Sequence, residues 1–150
     1  MPDNKQRLLE HYADMRKQMQ AALSGLTPQQ FTETSIDGWS VKDHLLHIAT
    51  WDEIRADEVT RISAGHATAW RMTGEQDGAY NELSYALRRD LSLEQAMWEW
   101  ETSRQQLLDA ISAGPERALD PALYGEAGLV SHHEAQHAGW IKDWRARQGY

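Results

Sequence analysis

The sequence predicts an all-α protein, a four-helix bundle with one extra short helix and long crossover loops. Three observations support this fold class. Apolar residues recur every three or four positions along four long stretches, which is the spacing of one face of an α-helix. Capping residues and Gly or Pro mark the ends of those stretches. No segment alternates apolar and polar residues convincingly enough to predict a strand, so the helices must bury their apolar faces against one another.

The first helix is predicted over residues 4–26. Its apolar residues fall on one stripe, and Thr27-Pro28 ends it because proline cannot continue a helix. We expect this helix to be scaffold. His11 and Asp14 lie off the stripe, so both are expected to be solvated.

The second helix is predicted over residues 41–63. Ser40 is a suitable N-cap, because a serine hydroxyl accepts a hydrogen bond from the backbone at the start of a helix. Asp43 follows near the positive end of the helix dipole. His44 and His47 lie three residues apart along one edge of the apolar face, which makes them candidates for a site.

Three further helices complete the prediction, and they cover residues 76–89, 93–113 and 129–147. Ser92 and Gln95 are expected to form a capping box. The connections lack a helical period and are predicted as loops over residues 27–39, 64–75 and 115–128. The first and the last are long enough for a crossover. Most tryptophans are expected in the core, namely Trp51, Trp100, Trp140 and Trp144.

Composition limits the class of protein. With 150 residues the chain is expected to form one domain, residues 1–150. The formal net charge of −8 argues against a nucleic-acid partner, since phosphates attract a surplus of Lys and Arg. No basic segment followed by an apolar run opens the chain, so we expect no membrane partner and a cytoplasmic location. Cysteine is absent, so any transition-metal site must use His and carboxylates.

His133 and His137 carry the strongest chemical signal. Residues four apart share one face of a helix, so two imidazoles can converge on one metal ion. Val130, Ile141 and Trp144 extend the same stripe. We therefore expect the two histidines to face the protein interior, where they need a metal or hydrogen-bond partners.

The same segment matches the His-Glu-x-x-His pattern of zinc proteases, in which Glu134 would be the general base. A protease is disfavoured, because no His or Glu follows His137 as a third ligand. Gly139 also lies one place too early for the long form of the motif. Glu134 lies off the apolar stripe, and we expect it to be a solvated residue of the first turn rather than a base.

A third ligand must come from upstream, and His47 is the best candidate, because helical bundles build metal sites from facing helices. His44 is the rival, although it could instead pair with Asp52 or Asp37 or lie in solvent. Two further histidines are expected outside the cluster, His66 and His132. A metal-free cluster of hydrogen-bonded core histidines is the alternative for the whole set.

Three neutral imidazoles leave at least one position of a divalent ion open. An open position is typical of catalytic rather than structural sites, and a bound water of lowered pKa is then the candidate nucleophile. This favours metal-assisted chemistry on a small-molecule substrate, with the catalytic residues left open. The candidate ions are zinc, nickel, iron, cobalt and manganese.

Two motifs resemble the DinB/YfiT-like superfamily. The segment from Trp39 to His47 resembles the one that opens the second helix there, and its last histidine falls on a metal ligand of the family. The C-terminal His-x-x-x-His of the family falls on His133 and His137. Further segments resemble the ClbS/DfsB-like branch, namely Trp51-Asp52-Glu53, Tyr80-Asn81 and Trp144-Arg145.

This resemblance implies a four-helix bundle that holds a divalent metal through His47, His133, His137 and water, often as a homodimer. Some relatives are thiol-dependent S-transferases, and the ClbS-like branch includes resistance to an electrophilic cyclopropane. The expected function is therefore a metal-dependent hydrolase or transferase acting on an electrophilic small molecule. The alternative is a binding or sequestering bundle whose metal site is structural or vestigial, because substrate does not transfer with fold.

Overall fold

The computed structural model describes residues 3–150 and confirms a mainly α-helical bundle. The helices are α1 (Asn4–Leu23), α2 (Pro28–Thr32), α3 (Val41–Ser63), α4 (Gly74–Arg88), α5 (Leu93–Ala113) and α6 (His133–Gln148). Two short strands, β1 (Thr34–Ile36) and β2 (Trp39–Ser40), form an antiparallel pair. The bundle consists of α1, α3, α5 and α6, in which α3 packs chiefly on α5 and α1 on α6. No helix within residues 3–150 is long and apolar enough to cross a membrane.

The bounds of α3 match the predicted residues 41–63. Ser40 accepts a hydrogen bond from the backbone N–H of Asp43, and the Asp43 carboxylate accepts one from the N–H of Ser40. This reciprocal capping fixes the first turn of the helix. His44 and His47 therefore lie within the first two turns of a well-anchored helix.

The connection predicted as a loop over residues 27–39 is more ordered than expected. It contains α2 and the β1–β2 hairpin, so the expectation that the chain has no strand is wrong. Strands of two and three residues are too short to show an alternating pattern. The turn signal in the sequence is present, since Asp37 and Gly38 both have positive φ angles, of 51° and 85°. The hairpin brings Trp39 against α3.

The last helix begins at His133, four residues later than predicted. Side chains of α1 bind carbonyls of the preceding segment and hold it in a non-helical conformation. Tyr12 donates to the carbonyl of Leu129 at 2.5 Å, and the His11 ring lies 2.6 Å from the carbonyl of Ser131. Val130 is consequently 49% exposed and does not continue the inward stripe.

The buried apolar residues form two large clusters along the bundle and a third, smaller one of Trp51, Ile54 and Ala127. One large cluster includes Met19, Leu23, Val41, Leu45, Trp100, Ile141 and Trp144. The other large cluster includes Leu8, Tyr12, Met15, Val59, Leu107, Ile111 and Leu129. Between the two large clusters, each of the helices α1, α3, α5 and α6 contributes a charged residue to one network of ion pairs.

These four residues, Arg16, Asp52, Arg104 and Glu134, form what we call the charged layer. Arg104 contacts Asp52 and Glu134, each at 3.0 Å, and Arg16 contacts the same two carboxylates at 3.8 and 3.1 Å. The ion pairs therefore close a ring in which positive and negative groups alternate. Both carboxylates are 1% exposed, so each depends on its arginine partners for compensation.

Candidate metal centre

Three histidine side chains from two helices meet at the side of the bundle. The Nε2 atoms of His47 and His133 lie 2.8 Å apart, and the Nε2 atoms of His133 and His137 lie 3.1 Å apart. One ring nitrogen from each of the three lies within 4.8 Å of the others. The structure thus brings together the residues that sequence reasoning selected from α3 and from the final helix.

The hairpin and α4 fix the rings on α3. Trp39 lies edge-on to His44 and His47, with ring centroids 5.4 and 5.2 Å apart. Tyr85 of α4 stacks on Trp39 at 5.2 Å with the planes only 6° apart. The imidazoles on α3 are therefore held by packed aromatic side chains, which the sequence pattern did not indicate.

Burial keeps the three imidazoles neutral. It lowers the pKa of His47 from 6.5 to about 4 and that of His133 to about 2, and electrostatic interactions with the neighbouring histidines and with Arg55 lower both pKa values further. Burial likewise lowers the pKa of His137 far below its usual range. Metal ligation requires neutral imidazole, so these rings are ready to bind without losing a proton.

The donor set fits a divalent transition metal. Within residues 3–150, the group of converging ligand atoms consists of three imidazole nitrogens and contains no carboxylate. Such a nitrogen set suits zinc, nickel or iron better than magnesium or calcium, which prefer oxygen. The Nδ1 atom of His133 is buried and lacks a hydrogen-bond partner in the described chain, so only its Nε2 is engaged with the cluster.

His44 is neither solvated nor paired with an aspartate, in contrast to the options considered from sequence. It is 4% exposed, and its Nδ1 lies 2.7 Å from Nδ1 of His137. Burial lowers its pKa to about 4, although Asp43 and Asp37 act in the opposite direction. His44 is thus a neutral imidazole that contacts the side of His137 facing away from the cluster.

Glu134 is 1% exposed, so the expectation that it is solvated is wrong. Its carboxylate accepts hydrogen bonds from Arg16 and from Trp100, the latter at 2.9 Å, and it forms an ion pair with Arg104 at 3.0 Å. Successive helical residues point about 100° apart, so Glu134 faces α1 and α5 while His133 faces α3. Both oxygens contact donors from α1 and α5, so the carboxylate is engaged on the side of the bundle away from α3, which does not favour a role as base at the histidines.

The other histidines lie outside the cluster. His66 and His132 are exposed, as expected. Asp14 is also exposed, but His11 is half-buried and bonds to the carbonyl of Ser131, so its predicted solvation is wrong. The signal for His11 is a long-range contact that no local pattern contains.

A cavity of about 450 Å³ opens beside the histidines. Its remaining wall is formed by Ile36, Asp37, Trp39, Asn81 and Trp140. Trp140 was expected in the core but is 48% exposed, because it lies on the cavity wall with its ring 4.7 Å from that of His137. Asn81 accepts a hydrogen bond from the indole N–H of Trp51 at 2.8 Å, which fixes its amide.

A second cavity, of about 380 Å³, also borders His47, His133 and Asn81. Its wall is more polar and includes Arg55 and Asp77. The histidine cluster is therefore bordered by two cavities of different character.

Comparison with known proteins agrees with this fold. The crystal structure of an uncharacterised protein from Escherichia coli UTI89 superimposes with a TM-score of 0.80, at 17% sequence identity, covering 99% of this chain and 96% of that chain. At that identity the likeness establishes the fold alone. No curated protein matches this chain. The sequence model of the DinB superfamily matches residues 11–141, a range that contains both histidine motifs. The chain therefore belongs to the DinB superfamily, whose members in general bind metal.

Proposed function

We propose that this protein is a metal-dependent hydrolase or transferase that acts on an electrophilic small molecule. One observation carries the proposal: the Nε2 atoms of His47, His133 and His137 converge at the wall of a cavity of about 450 Å³. That volume is in the range of small-molecule sites. The three histidines would hold one divalent ion, with zinc, nickel, iron or manganese as candidates.

A bound ion would supply Lewis-acid polarisation of the group under attack. The protein's own residues would bind and orient the substrate. Trp39 and Trp140 offer apolar surfaces on the cavity wall. The oxygen of Asn81 is held by Trp51, which leaves its amide N–H groups available to a polar atom of the substrate.

The transferase version of the proposal requires a second substrate, and a thiol is the class that the ClbS/DfsB-like resemblance supports. The second cavity borders His47 and His133 as well, so it offers room for such a cosubstrate. Its polar wall, with Arg55 and Asp77, suits a cosubstrate that carries charged groups. The hydrolase version uses water in place of the thiol.

A binding or sequestering role is the second candidate, and a specific observation favours it. Glu134, the carboxylate nearest in sequence to the histidines, is committed to Arg16 and Arg104. Of the residues described on the wall of the larger cavity, only Asp37 is a carboxylate. A site with few groups able to move protons fits a protein that holds a reactive molecule without converting it.

Metal analysis of the purified protein tests the common part of both candidates. We expect one equivalent of a divalent ion in the wild type and its loss in His47→Ala, with the helical circular dichroism retained. His66→Ala is the matched control, because His66 is exposed in a loop, and it should keep the metal. A wild-type protein that binds neither Zn²⁺ nor Ni²⁺ would contradict the proposal.

Turnover separates the two candidates. The metal-loaded protein is mixed with 4-nitrophenyl acetate, or with 1-chloro-2,4-dinitrobenzene and a low-molecular-weight thiol. Metal-dependent turnover of either probe that disappears in His47→Ala supports an enzyme. Saturable binding without turnover supports sequestration.

The homodimer that the resemblance implies is part of the same proposal. Light scattering should give twice the mass of one chain. A monomer at all concentrations would remove this element and leave the metal site untouched.

A further inference from the structure

The buried contact between His44 and His137 is not explained by the three-histidine site. The two Nδ1 atoms lie 2.7 Å apart, and the ring centroids are 5.0 Å apart with an interplanar angle of 61°. Both residues are 4% exposed. His44 lies on α3, one turn before His47, so two histidines of one helix contact the same ring of α6.

A contact of this length between two imidazole nitrogens requires a single proton between them. Two lone pairs at 2.7 Å would repel, and two N–H groups would clash. If His44 donates, His137 keeps its other proton on Nε2 and cannot bind a metal there. If His137 donates from Nδ1, its Nε2 carries the lone pair that faces His133 and His47.

We propose that His44 is a positioning residue whose Nδ1 accepts the Nδ1–H of His137 and so holds His137 in the tautomer that leaves Nε2 free for a divalent metal. This inference rests on the proposed metal site. Metal-binding histidines usually donate their other N–H to a carboxylate, a carbonyl or water, and that partner fixes the ring. Here a second imidazole, buried beside the ligand, takes that place.

The arrangement has a visible cost in the protein. When its Nδ1 accepts, His44 carries its own proton on Nε2. That atom is buried and has no hydrogen-bond partner among residues 3–150. A histidine with only a structural role would be expected to form hydrogen bonds through both ring nitrogens. The unsatisfied Nε2 therefore indicates that the role of His44 is its contact with His137.

Two substitutions test the hydrogen bond itself. His44→Leu removes the acceptor, and His44→Asn keeps an amide oxygen close to the position of Nδ1. The affinity for Zn²⁺ is measured by competition with a chromophoric chelator at neutral pH. We expect His44→Leu to bind Zn²⁺ about 10- to 100-fold more weakly than the wild type, and His44→Asn to recover most of the loss. His66→Leu is the matched control and should bind as the wild type does.

Unchanged affinity in His44→Leu would overturn the inference. Equal losses in the Leu and Asn variants would overturn it too, because the loss would then not depend on an acceptor. Circular dichroism and thermal melting of the metal-free variants show whether each one folds. If His44→Leu does not fold, the asparagine variant and the tautomer measurement below decide.

The tautomer of His137 gives a readout that does not require metal. Long-range ¹H–¹⁵N correlation spectra of the metal-free protein distinguish Nδ1–H from Nε2–H imidazoles. We expect His137 of the wild type to be the Nδ1–H tautomer, and the Nε2–H tautomer would overturn the inference. If the wild type binds no Zn²⁺, the proposed function fails, and this measurement still judges the role of His44 separately.

Discussion

Replacing Glu134 by glutamine removes one corner of the charged layer while keeping the size of the side chain. The carboxylate is 1% exposed, accepts hydrogen bonds from Arg16 Nε at 3.1 Å and Trp100 Nε1 at 2.9 Å, and forms an ion pair with Arg104 at 3.0 Å. All three partners are donors. A glutamine amide must turn its NH₂ group towards at least one of them, so a donor faces a donor in the core.

The magnitude follows from the charges left behind. In the native layer, Asp52 and Glu134 compensate Arg16 and Arg104, and Arg55 adds a further positive charge 3.5 Å from Asp52. Without the Glu134 charge, three arginines share one buried carboxylate. Breaking a buried ion pair by removing one partner costs about 3–5 kcal/mol. Domains have total stabilities of about 5–15 kcal/mol, so the variant should be marginal.

The assay is urea unfolding of the metal-free protein at neutral pH, followed by circular dichroism. Asp143→Asn is the matched control, since Asp143 is an exposed acid on the same helix, and we expect it to shift the free energy of unfolding by less than about 0.5 kcal/mol. If Glu134→Gln destabilises the protein no more than this control does, the charged layer does not contribute to stability through compensation of buried charges.

The remaining predictions concern acidity, a close backbone contact and a helix cap. Burial lowers the pKa of His44 and of His47 from 6.5 to about 4. Between about pH 6.5 and pH 4 these rings are therefore protonated in the unfolded chain but neutral in the metal-free native protein, and acid favours unfolding. Each ring should then lower the free energy of unfolding by about 2 kcal/mol between pH 7 and pH 5; urea titrations in EDTA that show no loss would contradict this. Gly125→Ala should destabilise by about 1–3 kcal/mol, because a Cβ there would lie 2.2 Å from the carbonyl oxygen of Trp70, and an unchanged melting temperature would refute the contact. Ser40→Ala should lower the free energy of unfolding by about 1 kcal/mol, because it removes the N-cap of α3. Ser40→Thr keeps a capping hydroxyl and should retain most of the wild-type stability in the same urea assay.

Local patterns were sufficient for the long helices and for the meeting of the histidines. The cap at Ser40 and the stripe after it predict α3 to the residue, because both are set within a few positions of sequence. The spacing of His133 and His137 places both rings on one face wherever the helix lies. Bundle geometry then brings that face to His47, although ligation itself stays a prediction.

Contacts distant in sequence account for the errors. Glu134 looks like an ordinary acid of a first helical turn, and nothing nearby shows that Arg16 of α1 and Arg104 of α5 will meet it. The start of α6 was placed too early for the same reason, because Tyr12 and His11 hold the carbonyls before it. Hydrophobic periodicity registers only whether a residue is apolar, so it misses a buried layer made of charges.

Glu134 connects the histidine cluster to the charged layer, because it follows His133 directly in the first turn of α6. In this turn, His133 faces α3, while Glu134 forms ion pairs with arginines of α1 and α5. The rotation of this turn is therefore fixed from both sides, and ion pairs constrain angle more tightly than apolar packing does because their geometry is directional. A metal site needs its ligands placed to within a fraction of an ångström, and Glu134 supplies that restraint to His133 without contacting the metal.

If the charged layer positions His133 in this way, Glu134→Gln should weaken Zn²⁺ binding even when an osmolyte keeps the variant folded, whereas Asp143→Asn should not. Equal affinity in the two folded variants would show that the charged layer stabilises the bundle without positioning the histidines.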